Sequence, residues 1–197
     1  MKLADSIIYR ASHYVTRLFI DQLPTDRLFH NLHHTTNVVR GVLDIGCAEG
    51  VTPEEQETLL LAAWFHDTGH TRVYHDHETE SQYIARDFLE RVGYPAYRIE
   101  PVLACIGATR LPQQPENKLQ QIICDADLYH LSMPAYDNIQ ELLREEWRRA
   151  LDIEFTDEEW KVENLNFLTN HTYFTEYGKT VLQKRKETQS SIFQENC

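Results

Sequence analysis

Residues Leu59 to His70 read Leu-Leu-Leu-Ala-Ala-Trp-Phe-His-Asp-Thr-Gly-His, and no other stretch restricts the fold of this chain as strongly. Seven apolar residues run into an adjacent His66-Asp67 pair before Thr68-Gly69 breaks the run. A helix apolar on nearly every side belongs in the middle of a core. An imidazole and a carboxylate at the buried end of such a helix cost on the order of several kcal/mol if unpaired, and a metal ion commonly offsets that cost. A helix end with solvated polar residues is the simpler reading of this stretch alone.

The surrounding pattern is helical almost throughout. Ile7, Ile8, Ala11, Val15, Leu18 and Phe19 recur at helical spacing, and a second helix is expected from about Arg27 to Ala48. Thr52-Pro53-Glu54-Glu55 combines an N-cap, a first-turn proline and a capping-box glutamate, so a third helix starts there and carries the Leu59 run to His66-Asp67. Further helices are expected at about 78–92, 97–109, 118–131, 134–151 and 156–170, with a weaker one over 174–193. No alternating strand pattern or repeat interrupts them. The expectation is an all-α fold, a single-domain helical bundle over residues 1–197, its C-terminal helices (134–193) completing the bundle.

A net charge of −12 leaves no basic face for a nucleic-acid polymer, although a small phosphorylated substrate remains compatible if a metal supplies positive charge locally. Asp5 and Arg10 interrupt any signal-peptide core, and no run of about 18 apolar residues exists, so neither secretion nor a membrane span is expected. Cys47, Cys105, Cys124 and Cys197 are widely spaced and read as reduced thiols of a cytoplasmic protein.

Helical spacing selects the residues that can meet His66-Asp67. His34 shares its face with Val38, Gly41, Val42 and Ile45, whereas His33 lies with Thr36, Asn37 and Arg40. His34 is therefore the candidate ligand, with His30 one turn earlier on the same side. Asp127 sits with Ile123, Cys124 and Leu131, while Asp125 has Gln121 one turn back, so Asp127 is the better ligand. His34, His66, Asp67 and Asp127 make a mixed nitrogen and oxygen set suited to zinc, iron, manganese or magnesium, with positions left for water. The second oxygen of Asp67 can bridge to a second ion, the arrangement typical of phosphoryl hydrolysis.

His34, His66-Asp67 and Asp127, in that order, resemble the H…HD…D signature of the HD-domain superfamily of metal-dependent phosphohydrolases. Phe29-His30-Asn31-Leu32-His33-His34 is similar to the Tyr-His-Asn-x-x-His motif of its cyclic-nucleotide phosphodiesterase branch, and His66-Asp67-Thr68-Gly69-His70 resembles that branch's HD-x-x-H. Ala126-Asp127-Leu128 matches the surroundings of the branch's last metal aspartate. The resemblance covers residues 29–131. It implies a phosphohydrolase of a small phosphoester, a nucleotide or related metabolite, holding one or two divalent ions (Mn, Mg, Zn, Fe, Ni or Co) at His34, His66, Asp67 and Asp127. Asp67 would be catalytic through its metal, and His30 would be the proton donor to the leaving oxygen. It also points to His77 as a contact or ligand of a second metal and to His70 as an orienting residue behind the ligands. Thr109-Arg110 departs from relatives that place a further histidine there, which argues against a fully bimetallic site.

Arg72, Arg110 and Lys118 are the basic residues near the motif loops and are candidate phosphate contacts. His13, His130 and His171 read as structural, and the acid-rich segment from Glu141 to Arg149 as a solvated face. Trp147, Phe155, Trp160, Phe167, Tyr173 and Phe174 read as packing residues, with a homodimer contact as another use. Two other functions compete with the phosphohydrolase. One is a non-catalytic metal- or nucleotide-binding module of the same superfamily. The other is a di-iron oxygenase, which needs two more histidines than the chain places before Asp127.

Overall fold

The computed structural model describes residues 6–188, and every regular element among them is helical. In chain order these are α1 (Ile7–Gln22), α2 (Leu32–Ala48), α3 (Pro53–Phe65), α4 (His77–Arg91), α5 (Ala96–Ala108), α6 (Lys118–Asp127), α7 (Tyr136–Leu151) and α8 (Asp157–Asn170). Short 3-10 turns occupy Thr68–Thr71 and Leu128–Ser132. A last helical stretch, α9, spans residues 176–188 and is π-wound over Gly178–Leu182. The all-α expectation holds. The tail expected to reach Phe193, and Cys197, lie outside the described residues. No helix among those described is long and apolar enough to cross a membrane.

The third helix is the hub. Thr52 accepts from the Glu55 amide and its own amide donates to the Glu55 carboxylate, so the capping box fixes where α3 starts. Leu59, Leu61, Ala62, Ala63 and Phe65 are all fully buried, because α1, α2, α5 and α6 pack around α3 on different sides. Each large apolar side chain removed from water in this way contributes about 1.5–3 kcal/mol. Most of the run is apolar because most of it has a neighbour, and Leu60 and Trp64 are its half-buried positions.

Two sequence expectations change. The second helix begins at Leu32, not near Arg27, because the Asn31 side chain caps it by accepting from the amides of His33 and His34. His30 therefore precedes α2 and does not ride one turn up on its face. Asp125, expected on the more polar side of α6, has no exposed surface. It accepts from the amides of Phe174 and Thr175 and from the Thr175 hydroxyl, and so ties the start of α9 to the core. Burial raises the Asp125 pKa, and these donors pull it back only in part.

The α2–α6 crossing brings His34 and Asp127 together, and Gly41 is what lets it close. A Cβ at Gly41 would lie 3.2 Å from both the Cα and the Cβ of Ala126 and 3.3 Å from the Tyr129 ring. Beyond α6, Leu128, Leu131, Tyr136 and Leu168 form a second, smaller core beneath α7 and α8. Replacing Gly41 by leucine is expected to overpack the crossing and lower stability by about 1–3 kcal/mol in urea unfolding. An unchanged midpoint would show that the two helices can separate freely.

Candidate metal centre and adjoining cavity

Each candidate ligand is placed by a local device. The chain leaves α3 at His66, where His66 Nδ1 donates to the Ala63 carbonyl at 2.9 Å and turns Nε2 inward. His66 Nε2 then lies 3.3 Å from His34 Nε2, which α2 presents from its buried first turn. Asp127, the last residue of α6, brings Oδ1 to 3.2 Å from His34 Nε2 and 3.6 Å from His66 Nε2. Asp67 Oδ2 is 3.1 Å from His66 Nε2 and 3.4 Å from His34 Nε2 without hydrogen-bond alignment to either. Gln113 Nε2 donates to the other oxygen of Asp127.

Electrostatics show what such a cluster lacks. Burial opposes ionisation of both aspartates, but the neighbouring imidazoles outweigh it and hold Asp67 and Asp127 below the usual carboxylate range. Burial likewise opposes charge on His66, and the two carboxylates outweigh it, raising its pKa well above the usual value. Two anionic groups in an apolar end of the core therefore call for positive charge. His34, His66 and Asp127 have ligand atoms close enough to share one ion. The unbonded, buried Asp67 Oδ2 beside them completes a donor set that fits a divalent metal.

A second group adjoins the first. Gly69 packs so tightly against the start of α4 that a Cβ there would come within 2.0 Å of the His77 carbonyl oxygen, and the Gly69 amide donates to Ser81 Oγ. That contact carries His77 Nε2 to 3.4 Å from Asp67 Oδ1, so the Asp67 carboxylate faces His77 with one oxygen and His34 and His66 with the other. His70 is stacked between His30 and His77, with ring centroids 4.2 and 3.9 Å away. Burial, then the positive field of His30, pushes its pKa far down, and neither ring nitrogen has a hydrogen-bond partner among the described residues. His30, Asp67 and His70 could also hold an ion.

The residue that sequence reasoning missed is Glu146. Expected on a solvated face, it is fully buried. Its carboxylate accepts from the amides of Phe29 and His30, from His30 Nδ1 at 2.5 Å and from the Tyr74 hydroxyl at 3.0 Å. Those amide bonds are why His30 stays outside α2. Burial alone would raise the Glu146 carboxyl, but the His30 hydrogen bond and the two amides outweigh it and hold it low. A signal was present: Glu146 shares a helical face with Ile139, Leu143 and Ala150, the same criterion that singled out Asp127.

A cavity of about 400 Å³ opens from His30, Asp67 and Asp127 toward α7 and α8. His130 lines it too, its Nδ1 donating to the Asp127 carbonyl, with burial pushing its pKa down to about 3. Trp147, Trp160 and Phe167, read from sequence as packing residues, also face this space. None of the three candidate phosphate contacts lines it. Arg72 pairs with Glu80 and Lys118 donates to the Glu49 carbonyl, while Arg110 bonds Thr79 and pairs with Asp76 and Glu78 at the rim.

Among known families, the model of the HD domain matches residues 31–132, just over half of the chain. No curated protein matches it.

The depressed Glu146 pKa stabilises the native state above the unfolded carboxyl value of about 4.3, and that contribution is lost as pH falls through the lower folded value. Replacing Glu146 by glutamine should therefore destabilise the protein at pH 7, with the gap from wild type narrowing in acid. Denaturant titrations across pH 3–7 measure this, and a gap that widens in acid would refute the buried-carboxylate account.

Proposed function

Because the chain belongs to the HD-domain family, we propose that it is a metal-dependent phosphohydrolase acting on a small phosphoester, a nucleotide or related phosphometabolite. The observation that carries this reading is the convergence of two imidazole nitrogens and two carboxylates at one buried point, with Asp67 Oδ2 left unbonded there.

His34, His66, Asp67 and Asp127 would hold the ion. A divalent metal at such a site supplies positive charge to phosphoryl oxygens and lowers the pKa of a water molecule. The apolar packing of α3 behind His66 and Asp67 keeps these groups rigid and bulk water away from them. His30 stands at the cavity wall with Nδ1 engaged by Glu146, so Nε2 is the nitrogen free to protonate a leaving oxygen. Glu146 orients that ring through the Nδ1 hydrogen bond, as a carboxylate behind a catalytic histidine does elsewhere.

One observation favours a second reading of His30. Its grouping with Asp67 and His70 would make it a ligand of a second ion, in place of the proton donor.

Variants separate these roles. Asp67→Ala and His66→Ala are expected to lose both bound metal and turnover, by elemental analysis and by phosphate release from a panel of phosphomonoesters, nucleotides and cyclic nucleotides with Mn²⁺, Mg²⁺ or Zn²⁺. His30→Ala is expected to keep its metal and lose about 10²- to 10⁴-fold in kcat, the usual reach of a general acid. Loss of one of two ions in His30→Ala would establish the ligand role. Glu146→Gln should retain metal and lose about 10- to 100-fold, the usual effect of removing a group that orients a site residue. Full metal loading with no hydrolysis of any panel member would leave a binding module.

A further inference from the structure

The cavity reaches well beyond the metal centre, and its far half is made by the C-terminal helices. Leu143 and Trp147 of α7 and Trp160 and Phe167 of α8 line it. Trp147 and Trp160 meet edge to face with centroids 5.6 Å apart, and Phe155 backs Trp160 at 5.3 Å, so the rings are fixed before anything binds.

Polar groups of this wall are engaged with one another. Trp160 Nε1 donates to Gln140 Oε1, Gln140 Nε2 donates to the Asp137 carbonyl, the Tyr136 hydroxyl donates to Asn164 Oδ1, and Asn164 Nδ2 donates to the Trp160 carbonyl. Apart from the Glu163 carboxylate, what remains for a ligand is aromatic faces and aliphatic carbon. Charge points the same way. Among the described residues no lysine or arginine lines the cavity. Of its carboxylates, Asp76 and Glu78 are already paired with Arg110 at the rim and Glu163 stands on the α8 side, so phosphates beyond the one at the metal centre would meet carboxylate and no uncommitted cation of the lining.

We propose that the α7–α8 half of the cavity binds an uncharged aromatic ring system whose single phosphoryl group reaches the metal centre. The phosphoryl half of this statement rests on the phosphohydrolase reading; the ring half does not. A nucleobase and a simple aromatic alcohol share the required chemistry. The cavity of about 400 Å³ falls within the size range of small-molecule sites. Because Glu146 and Trp147 are neighbours on α7, the wall that would contact the ring is built into the helix that orients His30.

The test uses the metal-loaded full chain and two substrates whose alkyl alcohols leave alike, 2-(1-naphthyl)ethyl phosphate and ethyl phosphate. The naphthyl ester is expected to show a KM at least tenfold lower with kcat within about threefold. Phe167→Ala, at a position 38% exposed and therefore tolerant of truncation, should erase most of that KM advantage while leaving the kcat ratio of the two esters alone. Calorimetric titration with the corresponding phosphonates reads the ring site without turnover. The naphthyl compound should bind at least tenfold tighter than ethylphosphonate, and Phe167→Ala should remove the difference. Equal affinity of the two phosphonates overturns the proposal, whatever the enzyme hydrolyses. A ring preference abolished by Phe167→Ala, with no ester hydrolysed, upholds the ring site and overturns the phosphohydrolase reading instead. AMP should bind at least tenfold tighter than ADP, and ADP binding as tightly as AMP overturns the single-phosphoryl limit. AMP tighter than the naphthyl phosphonate identifies the ring as a nucleobase, and the reverse identifies an aromatic alcohol; either supports the proposal.

Discussion

Two carboxylates, Asp67 and Asp127, lie against two imidazoles at the buried end of the central helix, and most of the architecture answers to that concentration of charge. An apolar interior does not tolerate such groups singly. The ends of α3 and α6 and the first turn of α2 must meet at one point for the groups to satisfy one another or share a cation. The glycine at the α2–α6 crossing and the glycine against α4 give up side chains so that backbones can approach where the cluster needs them. The price in packing freedom is small beside that of a lone buried carboxylate.

Around this point the chain is arranged in two shells of different character. Ligand-bearing segments between His34 and Asp127 come from helices packed directly on α3, so their positions follow from core packing. The far wall of the cavity comes from later in the chain and crosses back over it. Glu146 reaches the loop before α2 from more than a hundred residues away, and Trp160 and Phe167 close the far side. The Asp67 carboxylate, facing His34 and His66 with one oxygen and His77 with the other, stands between the ligand cluster and the histidine stack that borders the cavity.

Much of this was legible before any coordinates. Helix periodicity found each helix among the described residues, because amphipathic spacing and a capping box such as the one at Thr52 are local signals, although it drew the start of α2 at Arg27 and not Leu32. The face argument put His34 and Asp127 inward for the same reason. It misjudged Asp125, whose partners are the amides of Phe174 and Thr175, about fifty residues on and invisible to local spacing. It put His30 on α2 because nothing local reveals that its amide is bound by a distant glutamate. Glu146 itself was dismissed for its acidic neighbours, although its position among Ile139, Leu143 and Ala150 marked it as inward-facing. The general lesson is that composition described the outer face of α7 and obscured its inner one.

That placement of Glu146 divides the inheritance of the site. The stretch that matches the HD-domain family ends at residue 132, so it contains the whole candidate ligand set but neither the carboxylate behind His30 nor the ring wall beside it. On the proposed function, metal affinity is written in one part of the gene and proton delivery with substrate fit in another. Selection can retune or silence the second without disturbing the first, and two chains with the same metal signature need share neither substrate nor rate.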